Sequence, residues 1–176
     1  MRIRGALLAV SVLLVGTGCA SAEEPPTPPS DDVRTTDYEG SGHTPEEVEY
    51  AETPPMGGQH DQEPLPCGVY DEPVREENAV HSLEHGAIWV TYDPAQVDAA
   101  GVASLESALP GKSIISPYEG LDSPVVATAW NHQLPLDGPD VEGLRDFVDT
   151  YLDASTAPEP RVPCDYGVER LEAEDQ

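Results

Sequence analysis

Residues 87–92, Ala-Ile-Trp-Val-Thr-Tyr, constrain the fold more than any other segment. An extended chain with this order is apolar on both faces, which is typical of a central strand covered on both sides. Asp93 and Pro94 follow directly and are expected to end the strand. The chain therefore needs a sheet with this segment near its middle and packed layers around it.

Further elements are predicted after this strand. A helical region carries Leu105 and Leu109, and short strands are expected at 113–116 and 125–130. The clearest helix begins after Asp140, since its apolar residues share one stripe: Val141, Leu144, Phe147, Val148, Tyr151 and Leu152. This order predicts an α+β fold, a small antiparallel sheet with two helices on one face.

The part of the chain before the histidine pair has a different character. It is rich in Pro and Gly and shows no sustained period to about residue 78, which predicts long irregular loops. The stretch before residue 37 is Pro-rich and acidic with few apolar residues, as expected of a disordered tether. We therefore predict four parts: a lipoprotein signal peptide at 1–18, a tether at 19–36, a single α+β domain at 37–166 and a flexible acidic tail at 167–176.

The N-terminus indicates export. Arg2 and Arg4 precede an apolar run at 6–15, which is too short to span a membrane, and the run is followed by Gly-Thr-Gly-Cys. This pattern predicts lipidation of Cys19 and an extracytoplasmic protein anchored to the cell membrane. An ordinary cleaved signal is the alternative.

Charge limits the partners. The chain has 34 acidic and 8 basic residues and a formal net charge of −26, so it would repel a phosphate backbone, and nucleic acid is excluded as a partner. An acidic surface of this kind attracts cations, but it also simply keeps a protein soluble. The sequence contains no loop of the EF-hand type, so calcium has no specific support.

Two cysteines remain in the exported domain, Cys67 and Cys164. An oxidising compartment favours a disulfide between them. Metal binding by both thiolates is the less favoured alternative, because neither lies in a C-x-x-C pair.

His81, Glu84 and His85 put two imidazoles and a carboxylate close together just before the central strand. A spacing of four returns both rings to one side of the backbone, which suits a metal site. The alternative is that the histidines only form hydrogen bonds. The segment also matches the H-x-x-E-H motif of zinc peptidases, but Gly86 and the apolar strand end any helix too early for that active site.

Several segments resemble an exported bacterial family grouped as domain of unknown function 3105 (DUF3105). The resemblance covers most of the mature domain in the family's order, and it rests on these segments: Val48-Glu49-Tyr50, Thr53-Pro54-Pro55-Met56-Gly57-Gly58-Gln59-His60, Cys67-Gly68-Val69-Tyr70, Val80-His81-Ser82-Leu83-Glu84-His85-Gly86, Ala129-Trp130, and Pro158-Glu159 before Cys164. The family name assigns no function.

The resemblance implies that four histidines belong together: His43, His60, His81 and His85. Such a nitrogen-rich set suits copper or zinc, with copper first because it is the labile metal outside the cytoplasm. Glu84 is expected to orient a ligand ring. Met56 and His132 depart from the family pattern and are either extra ligands or tolerated loop substitutions.

Three function classes follow from the sequence. The first is a metal-binding lipoprotein that is not an enzyme. The second is a metal-free scaffold or interaction lipoprotein, in which the histidines only hydrogen-bond the loops to the sheet. The third and least favoured is a zinc-dependent peptidase that uses His81, Glu84 and His85.

Overall fold

The computed structural model describes residues 25–40, 42–164 and 167. The predicted signal peptide, the predicted lipidation site Cys19 and nearly all of the acidic tail lie outside the described residues. The described elements are, in chain order, β1 (Arg34–Thr35), β2 (Gly68–Val69), α1 (Glu76–Glu84), β3 (Ile88–Tyr92), α2 (Ala99–Ala108), β4 (Ser113–Pro117), β5 (Val125–Ala129), β6 (His132–Leu136) and α3 (Val141–Tyr151).

The strands form one six-stranded sheet in the order β1-β6-β5-β3-β4-β2. β3 lies inside this sheet, as its apolar sequence predicts, and pairs antiparallel with β5 and parallel with β4. The predicted α+β fold is confirmed and the sheet is mostly antiparallel. The β3–β4 and β2–β4 pairs depart from a purely antiparallel arrangement. The β3–β4 pair is parallel because α2 connects the two strands as a crossover, and a crossover returns the chain in the same direction.

α2 and α3 pack against one face of the sheet, as the sequence predicts. This helix-covered face holds a core of strand residues, including Ile88, Val90 and Ile115, together with Leu144 and Phe147 of α3. Aspartates begin both helices: the Asp98 side chain accepts from the Gly101 N–H, and the Asp140 side chain accepts from two N–H groups of α3. These caps mark the helix starts in the sequence.

The opposite face is covered by α1 and the loops, and we call it the histidine face. Its core joins Trp89 and Ile114 of the sheet to Val80 and Leu83 of α1. Trp89 donates its indole N–H to Ser116 Oγ at 3.0 Å, so the buried ring keeps a polar partner. The sequence predicted only two helices, and α1 is the third.

Two further differences concern the edge of the sheet. The predicted tether ends at residue 36, but Arg34 and Thr35 form β1 by pairing with Gln133 and His132. β6 itself was not predicted, and its Pro135 is unusual inside a strand. Pro135 is tolerated because β1 is only two residues long and does not extend along β6 to that position.

A loop before α1 is tied to the C-terminal end of the domain. Cys67 and Cys164 form the predicted disulfide, with their Cα atoms 5.3 Å apart, and the Cys67 N–H donates to the Cys164 carbonyl at 2.8 Å. Among the described residues, no helix combines the length and apolar character needed to cross a bilayer.

Candidate metal centre

α1 and its C-terminal end place His81, Glu84 and His85 on the histidine face. α1 ends at Glu84 because Gly86 has a φ of 85° and because Gly86 and Ala87 donate backbone hydrogen bonds to carbonyls inside the helix. A side chain at Gly86 would also meet Asp153, whose Oδ1 lies 2.9 Å from the position of a Cβ. The end of the helix is therefore fixed by local chain geometry.

The other two histidines of the set lie on loops that cross each other. His43 and His60 form an isolated parallel bridge, in which the Thr44 N–H donates to the His60 carbonyl at 2.7 Å and the His60 N–H donates to the Gly42 carbonyl at 2.9 Å. This bridge holds both loop histidines beside α1 by backbone hydrogen bonds.

Three histidines and one glutamate converge. The candidate ligand atoms of His43, His60, His81 and Glu84 all lie within 4.8 Å of one another, and we call these four residues the His/Glu group. Their three rings form a nearly equilateral triangle with centroid separations of 4.9, 5.0 and 4.9 Å. Imidazoles bound through nitrogen to one tetrahedral zinc ion have centroids about 5 Å apart. The ring positions fit such an ion.

Hydrogen bonds set the orientation of two rings. His60 Nδ1 lies 2.9 Å from the Gly58 carbonyl oxygen, and His81 Nδ1 lies 2.8 Å from the Asp61 carbonyl oxygen. A carbonyl oxygen can only accept, so each Nδ1 carries the proton and donates. In the neutral rings Nε2 then holds a lone pair, the form in which histidine binds a metal.

His60 and Glu84 face each other inside the protein. His60 Nε2 lies 3.0 Å from Glu84 Oε2, and both side chains are almost completely buried. Within the described part of the chain, this nitrogen has no hydrogen-bond partner of acceptable geometry. A lone pair and a carboxylate at this distance repel each other unless a proton or a metal cation lies between them.

His85 lies beside the His/Glu group. Its Nε2 is 3.1 Å from His81 Nε2 and 3.8 Å from Glu159 Oε2. The sequence assigned a ligand role to His85 and a supporting role to Glu84, whereas the structure brings the Glu84 carboxylate among the candidate ligand atoms. Glu84 follows His81 by three residues, so one turn of helix places both on the same side, a signal present in the sequence. The ligand roles of all these residues stay predictions.

Burial keeps the α1 histidines neutral. It lowers the pKa of His81, and it lowers the pKa of His85 to about 4, with the neighbouring His81 adding to the effect. At neutral pH both imidazoles are therefore uncharged and able to bind a cation.

A buried ionic network fixes the loops around the His/Glu group. The Arg75 guanidinium pairs with Asp61 and, at 3.2 Å, with Glu77 Oε2. Glu77 Oε1 accepts from the Val48 N–H at 2.7 Å. Since the Asp61 carbonyl accepts from His81, this network connects the loop, the start of α1 and a ring of the group.

The two possible extra ligands, His132 and Met56, have different surroundings. His132 belongs to β6, where its ring stacks on Tyr151 with centroids 4.2 Å apart and its Nδ1 lies 2.9 Å from the Trp130 carbonyl oxygen. Met56 is buried, and its carbonyl accepts from the Asn131 N–H. His132 therefore lies outside the His/Glu group, and a ligand role for the Met56 thioether stays a prediction.

Fold and site together define an α+β domain in which three histidines and a glutamate, all but His43 buried, lie close together. The chain belongs to the family described as "Protein of unknown function (DUF3105)", whose model matches residues 43–166. The matched region begins at His43 and contains the His/Glu group, His85 and both bridged cysteines. Comparisons with curated proteins and with solved structures found no match.

Proposed function

We propose that this protein is an extracytoplasmic lipoprotein that binds one transition-metal ion through His43, His60, His81 and Glu84, with Zn²⁺ first and copper second. The observation that carries the proposal is the buried contact between His60 Nε2 and Glu84 Oε2 at 3.0 Å. Two acceptors in that position require a positive charge between them, and a metal ion ligated by both supplies it.

Ring geometry changes the preference between the metals. The sequence put copper first because it is the labile metal outside the cytoplasm, because imidazole holds its oxidised ion, and because a thioether such as Met56 would accept the reduced one. Cu(II) favours a square-planar or tetragonal site, in which three imidazoles would leave one pair of centroids more than about 6 Å apart. The three observed separations are equal within 0.1 Å. Three nitrogens and one carboxylate in this arrangement suit Zn²⁺.

A metal-free scaffold remains the second candidate function, and one observation favours it. A single proton between His60 and Glu84 would also remove the repulsion, and the backbone bridge between residues 43 and 60 attaches the loops by hydrogen bonds that need no ion. The peptidase class is less favoured. A glutamate that ligates the metal cannot also act as the general base, and α1 ends at Glu84.

The metal proposal is tested on the mature lipoprotein extracted from its native membrane without an affinity histidine tag. Elemental analysis should find about one zinc per chain, and calorimetry after chelator treatment should show rebinding of Zn²⁺. His60→Ala and Glu84→Gln should lose this binding. His132→Ala, which also removes a histidine but one outside the group, should retain it.

Two results would decide against the proposal. Retention of zinc by both His60→Ala and Glu84→Gln would exclude the His/Glu group as the site. Absence of zinc and copper from the parent protein, with no binding on addition, would support the scaffold. Peptide hydrolysis that depends on zinc and is lost in Glu84→Gln would support the peptidase.

The location is part of the same proposal and rests on the sequence. Lipid chains on Cys19 would supply the membrane affinity, because a strongly acidic protein is repelled by anionic headgroups. A Cys19→Ala variant should therefore leave the membrane fraction. Its retention there would point to a protein partner as the anchor.

A further inference from the structure

Ligand-type atoms form a line from solvent to the His/Glu group on the side of His85. The Glu159 side chain is 60% exposed, and its Oε2 lies 3.8 Å from His85 Nε2. His85 Nε2 in turn lies 3.1 Å from His81 Nε2, and His81 belongs to the group. A carboxylate and an imidazole thus connect the surface to the buried residues.

The backbone holds Glu159 in this place. Residues 153–164 cross the C-terminal end of α1, with the Asp153 N–H donating to the Gly86 carbonyl and the Glu159 N–H donating to the Glu84 carbonyl, both at 3.0 Å. The disulfide at Cys164 fixes the far end of this segment. The segment also packs closely, since a Cβ added at Gly40 would lie 2.5 Å from Pro158.

Charges of both signs lie near His85. The Lys112 ammonium donates to the His85 carbonyl at 2.8 Å, forms an ion pair with Asp153, and contributes to the lowered pKa of His85. The Asp153 carboxylate balances part of this charge. The exposed Glu159 carboxylate adds negative charge at the surface end of the line.

We propose that His85 and Glu159 form an outer transfer site, through which a divalent metal ion reaches and leaves the His/Glu group. The proposal rests on the proposed metal-binding function. Nitrogens that ligate one zinc ion lie about 3 Å apart, the distance between His81 Nε2 and His85 Nε2. An ion held by His81 can accordingly gain His85 as a ligand before it loses another, so that a protein ligand replaces each one released.

An alternative route is present on the other side of the group. The His43 side chain is exposed, so an ion could approach it directly from solvent. The two routes make different predictions, because only the first depends on His85 and Glu159.

The test measures the rate of zinc release. The full mature chain, loaded with Zn²⁺, is mixed with an excess of a colour-forming chelator, and variants are compared at matched zinc content. His85→Ala and His85→Gln should each slow release about tenfold, equivalent to about 1.4 kcal/mol on the barrier. Both should still hold about one zinc per chain, because His85 is not a member of the group.

Glu159→Gln is a second test variant. It should fold like the parent, because the Glu159 side chain is exposed. It should slow zinc loading about threefold at low salt, with the difference lost at high salt, because an exposed charge is screened. Glu106→Gln is the matched control. It removes the same charge from α2 on the helix-covered face and should leave the rates unchanged.

Each other outcome overturns the proposal. Unchanged rates in the His85 and Glu159 variants, with normal zinc content, would assign the route to the His43 side. Loss of zinc in the His85 variants would make His85 a ligand of the buried ion. Absence of zinc from the parent would overturn the proposed function as well, and the zinc assay distinguishes that failure from the other two.

Discussion

Different interactions stabilise the layers on the two faces of the sheet. Among the described residues, the helix-covered face has a core of fifteen buried hydrophobic residues, most of them from strands and from α2 and α3. The histidine face has a smaller apolar cluster, ten residues in the same part of the chain, and its loops are attached by a disulfide, a buried Arg75 network and the histidine bridge. Stability of the first face should depend on packing alone. Stability of the second should also depend on redox state, pH and metal.

The largest effect should come from the disulfide. The Cys67→Ser, Cys164→Ser double variant should lose about 4 kcal/mol of unfolding free energy, because the bond closes a loop with a sequence separation of 97 residues. Urea unfolding of the purified domain measures this. The parent treated with a thiol reductant is the control and should match the variant. An unchanged midpoint would show that the histidine face does not need the bond.

A core truncation on the other face should be almost as costly. Leu144→Ala in α3 should lose about 3 kcal/mol through the cavity it leaves, because Leu144 is completely buried. Zinc stoichiometry should stay the same, since the residue touches the face opposite the group. Loss of zinc binding in the folded Leu144→Ala variant would show that the two faces are coupled.

Acid should weaken the histidine face first. The metal-free protein should lose stability as pH falls from about 6.5 toward 4. In this range His81 and His85 bind protons in the unfolded chain but stay neutral in the folded protein, because burial lowers their pKa values. One such group contributes a slope of up to about 1.4 kcal/mol per pH unit.

His85→Gln provides the comparison for that experiment. Over the same pH range its unfolding free energy should fall less steeply with pH than that of the parent, because one group that takes up a proton on unfolding has been removed. Urea unfolding at several pH values measures both slopes. Identical slopes in the parent and in His85→Gln would contradict the assignment to His85.

The smallest effect separates metal binding from folding. In the metal-free protein, Glu84→Gln should change the unfolding free energy by about 1 kcal/mol or less, because the glutamine amide can donate to His60 Nε2 and remove the repulsion. The same variant should show no rise in melting temperature with added Zn²⁺, whereas the parent should. A zinc-dependent rise in Glu84→Gln would exclude the carboxylate as a ligand.

Elements with a clear local pattern could be predicted from the sequence. β3, β4, β5 and α3 appear at or within about two residues of their expected positions, because hydrophobic periodicity records which face is buried. α1 could not be predicted, because Glu77, Asn78, Ser82 and Glu84 are polar yet buried. They are buried because loops distant in sequence supply their hydrogen-bond partners.

For the candidate site, the sequence determined which residue types were present and the likeness to the family grouped the histidines. It also determined that His81, Glu84 and His85 would share one side of a short segment, since that follows from local spacing. Tertiary structure alone decided which of these three side chains meets His43 and His60. The parallel bridge between His43 and His60 and the crossing of residues 153–164 bring the Glu84 carboxylate into the group and leave His85 beside Glu159. The physical reason is that these contacts connect parts of the chain far apart in sequence, whose meeting no local pattern encodes.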